Sequence, residues 1–164
     1  MAFNSYARLT LNGTPLAGDT TVAEIGGVDV SADHIEVYEV RWGSASAMAS
    51  ADGRPGRAQV QPVLITKRVD QSTPRLYQAM MTNAAIDGAI KLFDTHPDSG
   101  EVRHRFTLTL AKARIQSITS CSPDTLDTAV AARPAREVVA IAAATLTYSD
   151  EVNSVEYRQD LSPR

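Results

Sequence analysis

The stretch TKRVDQSTPRLYQAMM (residues 66–81) changes character halfway. Its first residues close a run with strand chemistry, QVQPVLITKR (residues 59–68). Pro62 cannot donate a ladder hydrogen bond, so an edge position or a bulge is expected there. The last residues read as a helix. Ser72 or Thr73 can serve as N-cap, its hydroxyl accepting from a free backbone N–H. Pro74 suits the first helical position, where its missing N–H costs nothing. Leu76, Tyr77, Met80, Met81 and Ala84 recur at helical spacing and make one apolar stripe. Gly88 and the preceding NAAID end it.

Around this helix the chain reads as strands. Upstream, HIEVYEVRWG (residues 34–43) alternates: Tyr38, Val40 and Trp42 share one face, and Ile35, Val37, Glu39 and Arg41 the other. Tyr38 and Trp42 are expected in the core. At the start, Ala7, Leu9 and Leu11 share a face that closes at the Asn12-Gly13 turn signal. The segment between, TPLAGDTTVAEIGGVDVSADH, has no clean period and is expected to be an ordered loop carrying one short strand. SASAMASADGRPGRA (residues 44–58) is small, polar and punctuated by Gly and Pro. It reads as a long loop, a kind that is usually functional or mobile.

Downstream, the apolar set is even-numbered at Phe106, Leu108 and Leu110, then odd at Ala111, Ala113 and Ile115. A parity change of this kind predicts a bulge or corner at residues 110–112. REVVAIAAATLTY (residues 136–148) is the last long strand, small on both faces near Ala140 to Ala144. The domain is expected over residues 1–150, with a polar tail at 151–164 that extends a strand or frays. The residues themselves point to an all-β domain with one helix, a barrel or a sandwich.

Composition narrows function by exclusion. The chain has 164 residues, enough for one domain with its own core. It is 43% hydrophobic and 21% charged, with a formal net charge of −3. A clustered basic excess is missing, so no nucleic-acid partner is expected. No apolar run reaches the ~18 residues of a membrane span, so no membrane insertion is expected. The start MAFNSYARLTLNG lacks the basic-then-apolar layout of a signal peptide. Cys121 is the only cysteine, so no intrachain disulfide can form. Its context, ITSCSPD, offers no activating base, and it reads as a quiet thiol at a strand end.

Motifs for catalysis are missing too. There is no G-x-S-x-G. DGRPGR lacks the Lys-Ser/Thr of a phosphate loop. DTHPDSGE (residues 94–101) gathers Asp94, His96, Asp98 and Glu101, which as oxygen-rich groups could bind calcium. Pro97, Asp98, Ser99 and Gly100 make a good turn unaided, and the hairpin-turn reading is preferred. The expectation is a protein that is not an enzyme, with no cofactor and no metal, whose work is contact with other chains.

Taken in order, the signals resemble the Hcp family, the haemolysin-coregulated proteins of the bacterial type VI secretion system. The start MAFNSYARLTLNGTPLAG is similar to the family's opening strand and turn, and HIEVYEVRWG to its second strand, which runs into Trp-Gly. Thr66, Lys67, Asp70, Thr73, Pro74 and Leu76 resemble its strand-to-helix junction. FTLTLAKARIQSITS and EVVAIAAATLTYSD are similar to its later strands. The likeness spans about residues 1–150. The helix carries Met80-Met81 where the family commonly has a small-Cys pattern, and residues 120–136 lack the usual Gly-rich composition.

The resemblance implies a small closed β-barrel of two packed sheets with one flanking helix, similar to phage tail tubes. It implies homo-hexameric rings that stack into a hollow tube, inside a contractile sheath and behind a spike, with effector cargo in the lumen. Assembly would be cytoplasmic, followed by secretion through the type VI apparatus without a signal peptide. The loop at 44–58 corresponds in position to a loop that reaches the adjoining ring, with Met48, Asp52, Arg54 and Arg57 as ring-stacking candidates. Thr73, Pro74 and Leu76 mark the scaffold helix start. Two other readings stay open: the tail-tube subunit of a phage-like or extracellular contractile injection particle, and a stand-alone β-barrel binding module or small hydrolase.

Overall fold

A computed structural model describes residues 3–49 and 54–161. In chain order the strands are β1 (Ser5–Leu11), β2 (Thr14–Pro15), β3 (Glu24–Ile25), β4 (Val28–Asp29), β5 (Ile35–Arg41), β6 (Ser44–Ala49), β7 (Arg54–Val60) and β8 (Val63–Arg68). After them come the helix α1 (Thr73–Met81) and β9 (Ile86–Thr95), β10 (Val102–Cys121), β11 (Arg136–Ala142), β12 (Thr145–Asp150) and β13 (Val155–Asp160). The mainly-β fold with one helix is the class the residues imply.

The antiparallel pairings form a ring. β11 pairs β8, β8 pairs β5, β5 pairs β1 and β1 pairs β9. β9 pairs the first half of β10, and the second half of β10 pairs β11 again. One long strand therefore joins the two ends of the path. Its inward residues, with those of β1, β5, β8, β9 and β11, make the core: Leu9, Ile35, Ile65, Ile90, Leu108 and Ile141 are almost wholly buried. Each such side chain contributes about 1.5–3 kcal/mol through burial.

The parity change in β10 appears where the pattern places it. The pairing with β9 shifts between Leu110 and Ala113, and Lys112 has φ +49°. The Lys112 N–H leaves the ladder and donates to Asp87 Oδ1 at 2.7 Å. Gly88 sits opposite Leu9, where β9 lies too close to β1 for a side chain. A Cβ there would lie 2.1 Å from the Arg8 carbonyl oxygen and 2.8 Å from Leu9 Cα.

The alanine-rich last strand is not continuous. It breaks at Ala143–Ala144, where the Ala144 N–H donates to Ala111 O at 3.1 Å and its carbonyl accepts from the Leu161 N–H at 2.7 Å. The register along β10 is kept across the break, Ala142 opposite Arg114 and Thr145 opposite Ala111, and shifts by one between Ile115 and Ser117 further along β11. The break lets the outer partner change from β8, beside β11, to β13, beside β12. Residues 155–160 of the polar tail thus form a paired strand.

Two expectations are corrected. Residues 44–58 are a hairpin rather than a loop: β6 and β7 pair from Ser44 opposite Val60 to Ala49 opposite Arg54. Trp42 is not core. It is 40% exposed and stacks on Phe106, with ring centroids 6.0 Å apart. Tyr38 is half-buried, under the Arg136 guanidinium at 5.6 Å from its ring centroid. In β5 the odd face, Ile35 and Val37, takes the inside, and the even face is left half-covered.

A second, smaller apolar cluster lies under the β3–β4 hairpin. Tyr6 and Phe93 meet edge to face at 6.0 Å, with Val30 buried beside them. The ordered segment at 14–34 thus holds three two-residue strands, β2, β3 and β4, rather than one.

Candidate functional site

The strand-to-helix junction is built around a buried charge cluster. Along β8 the inward positions are Val63, Ile65 and Lys67; along β11 they include Ile141, Val139 and Glu137. Lys67 and Glu137 are directly opposite in the ladder. Each apolar alternation therefore ends on an inward charge at the same end of the ring. The side chains of both are completely buried.

Lys67 Nζ donates to Glu137 Oε1 at 2.7 Å, to Asp70 Oδ1 at 2.8 Å, to the Arg68 carbonyl at 2.6 Å and to Thr73 Oγ1 at 3.3 Å. Glu137 also accepts from the Thr73 hydroxyl at 2.9 Å and from Ser120 Oγ at 3.2 Å. Asp70 accepts from the Ser72 N–H at 2.9 Å, the Ser72 hydroxyl at 2.6 Å and the Asp19 N–H at 3.2 Å. Burial works to raise the Asp70 pKa, but the hydrogen bonds from Lys67 and Ser72 outweigh it and hold the carboxyl below its ordinary range. The ammonium thus ties β8, β11 and the start of the helix together.

This cluster changes the reading of the helix start. Ser72 is the N-cap residue, yet its side chain makes no capping bond and instead donates to Asp70. The Thr73 hydroxyl accepts from the Asp70 N–H at 3.1 Å and donates to Glu137. Thr73 is the first helical residue and Pro74 the second, one position later than expected, still within the turn whose N–H groups need no intrahelical partner. Leu76 is fully buried and packs with Ala79 into the ring's core. Of the expected stripe, Met80 is partly buried, while Met81 is 75% exposed. The helix stops at Met81, short of residue 84, in a Schellman turn: Asn83 takes φ +50°, its N–H donates to Met80 O, and the Ala84 N–H donates to Ala79 O.

The β6–β7 hairpin continues the β5–β8 ladder past the end of the ring. Arg41 faces Leu64, and beyond the break Ser44 faces Val60, so one extra residue is accommodated on the β7–β8 side. Pro62 occupies that break, outside both strands, as its missing N–H requires. Met48 lies opposite Pro55 on this arm, and Arg54 and Arg57 are on β7. Asp52 lies outside the described residues. The arm carries Met48, Arg54 and Arg57 together, and well away from Thr73, Pro74 and Leu76 along the β5–β8 ladder.

Other surfaces are open to partners. Among the described residues β13 has β12 as its one neighbour in the sheet order and forms the edge of the sheet. Tyr157 on that strand is 61% exposed although it stacks on Tyr148. Leu126, in the 122–135 segment, is 90% exposed. Cys121 closes β10 and is exposed, its thiol 3.4 Å from the Ser122 carbonyl.

The DTHPDSGE segment is a hairpin turn joining β9 to β10. The His96 N–H donates to Glu101 O at 2.7 Å, and His96 Nδ1 accepts from the Asp98 and Ser99 N–H groups. Asp94 is turned aside to Arg103 at 2.7 Å, whose hydrogen bond lowers its pKa. Among the described residues no cluster of three or more His, Cys, Asp or Glu side chains is arranged to hold a metal ion. Among the described residues no helix is long and apolar enough to cross a membrane.

With this geometry in view, comparison with known proteins decides the family. Residues 9–150 match the family model described as type VI secretion system effector, Hcp. The chain belongs to the Hcp family. Solved Hcp structures share the fold at low identity. A crystal structure of an Hcp protein is 18% identical, with full coverage of both chains and a TM-score of 0.78. A mutant of Hcp1 from E. coli EAEC 042 is 19% identical over 98% of this chain and 100% of its own, with a TM-score of 0.81. The secreted protein Hcp3 from Pseudomonas aeruginosa is 18% identical over 99% and 100%, with a TM-score of 0.70. No curated protein matches by sequence. Membership makes this chain a type VI secretion protein of the Hcp kind.

Proposed function

We infer that the chain is the ring-forming subunit of a type VI inner tube and has no catalytic activity of its own. The observation that carries this reading is the family match across residues 9–150. The architecture supports it: a ring of strands for a tube wall, an open strand edge at β13, and the β6–β7 arm extending beyond one end of the ring. Six copies close a ring and rings stack head to tail, which is how a heterologous interface avoids an open filament in the plane. The arm reaches the adjoining ring, with Met48, Asp52, Arg54 and Arg57 as its contact residues. The sheath surrounds the stack, the spike caps it, and the lumen carries effector. The tube assembles in the cytoplasm and leaves through the type VI apparatus, with residues 1–150 as the tube domain.

Size-exclusion chromatography with light scattering, followed by negative-stain imaging, tests the reading. Rings at about six times the monomer mass are expected. A monodisperse monomer at high concentration, with no rings on the grid, would refute it.

A further inference from the structure

On the outer face of the ring, away from the arm and the β13 edge, the segment from Asp29 to His34 crosses β1 and β9. Beneath it is a cavity of about 310 Å³ lined by Arg8, Asp29, Ser31, Asp33, His34 and Lys91. Arg8 and Lys91 stand on one face of the sheet, since Tyr6 pairs Lys91 while Arg8 pairs Ala89 two residues along.

His34 is 6% exposed, and its protonation pattern follows from its partners. Nδ1 lies 3.1 Å from the Ser31 carbonyl, which can only accept, so Nδ1 carries the hydrogen. Nε2 then presents a lone pair in the neutral ring, and it faces the Lys91 ammonium at 3.4 Å. Lys91 makes no ion pair among the described residues; a neutral imidazole is the one acceptor shown for it. Arg8 is held loosely, 3.6 Å from Asp33 with both side chains half-exposed. Asp29 is occupied elsewhere, accepting the Ser31 N–H and hydroxyl at 2.8 and 2.6 Å. The cavity thus gathers one cation without an ion pair, a second held by a single half-exposed carboxylate, and a buried imidazole that can become a third donor.

We propose that this cavity binds a small oxyanion between Lys91, His34 and Arg8, and takes up a proton on His34 Nε2 as it does so. The anion's oxygens replace the imidazole lone pair as acceptor for the Lys91 ammonium. The proton on Nε2 comes from solvent, and the resulting imidazolium donates to the anion. In the empty protein, burial depresses His34 first, and the Lys91 and Arg8 charges depress it further, against the Ser31 carbonyl and Asp29. A bound anion offsets both cations, so the imidazole's pKa rises on binding. Binding is therefore tighter at low pH and fades as pH rises through the liganded pKa.

Sulfate is the probe for a tetrahedral oxyanion, because it does not itself titrate near neutrality, and acetate is the probe for a carboxylate. Each is compared with chloride at equal ionic strength, using the full chain. NMR titration of the His34 ring, assigned with His34→Gln, reads the result. The His34 pKa should rise in at least one probe and stay put in chloride. The probe's affinity should rise as pH falls from about 8, reaching about tenfold below the pKa of the free imidazole, the linkage expected of a shift of about one unit. The probe with the larger effect assigns the class of oxyanion. Lys91→Met should weaken binding about tenfold, and His34→Gln should flatten the pH dependence. An unchanged His34 pKa in both sulfate and acetate would overturn the proposal. So would a Lys91→Met protein that folds and binds like the parent.

Discussion

Replacing Lys67 by Met removes the one cation from a site that keeps two carboxylates. The side chain is of similar length and apolar, so shape is nearly conserved and the change is electrostatic. Lys67 is fully buried, and so are its partners Glu137 and, to within 3%, Asp70. The variant leaves both acids buried and facing each other without the ammonium that holds them 2.7 and 2.8 Å from its nitrogen. Breaking a buried pair in this way costs about 3–5 kcal/mol. A domain of this size has about 5–15 kcal/mol in hand, so the variant should fold, with Tm lower by roughly 6–20 °C.

Urea unfolding at a concentration where parent and variant have the same oligomeric state gives the number. The pH dependence makes the test specific. In the parent, hydrogen bonds hold Asp70 below its ordinary pKa, so its contribution is present above the unfolded pKa and lost as pH falls through the folded one. In the variant, burial is opposed only by the bonds from Ser72 and the Asp19 N–H, so the carboxyl rises and protonation relieves part of the strain. The difference between the two proteins should shrink from pH 7 to about pH 4.5. A loss below about 1 kcal/mol at pH 7, or a loss that does not vary with pH, would refute the reasoning.

Gly88→Ala places a Cβ 2.1 Å from the Arg8 carbonyl oxygen and 2.8 Å from Leu9 Cα, both backbone atoms. It should destabilise by about 3 kcal/mol or more in thermal melts followed by circular dichroism, and a loss under about 1 kcal/mol would contradict the close approach of β9 to β1. Thr73→Val keeps the shape but removes the hydroxyl that serves Glu137, Asp70 and Lys67. About 1–3 kcal/mol should be lost in urea unfolding, with no gain from the more apolar side chain. Replacing residues 46–58 by a short Gly-Ser turn removes most of a hairpin that forms its own sheet. The fold should survive within about 1 kcal/mol while stacks of rings disappear from negative-stain grids; stacks of normal length would remove the arm from the assembly model.

Much of this fold is legible in residue order because it rests on local rules. The proline-started helix after Asp70 needs only neighbouring residues. So does the bulge at 110–112, where the inward set must change parity for β10 to serve two partners. The turn at 96–101 follows from its own Pro-Asp-Ser-Gly chemistry. The hairpin at 44–60 is different. Its residues carry no apolar alternation, so nothing in the sequence separates a paired arm from a loop.

The charge cluster was half visible. Lys67 and Asp70 stand in the junction motif, but Glu137 is 70 residues from Lys67 and looks like any polar strand start. Its one signal is parity, since it shares the inward face with Val139 and Ile141. The capping role expected of Ser72 or Thr73 gave way because both hydroxyls are oriented by the bonds they donate to buried carboxylates, which are stronger than the neutral bond a hydroxyl accepts from a helix N–H. Sequence alone determined where the chain turns from strand to helix, since local backbone preference and apolar spacing decide that. Tertiary structure alone decided which charges meet inside, because only the closing of β8 against β11 brings Lys67 and Glu137 out of water and face to face.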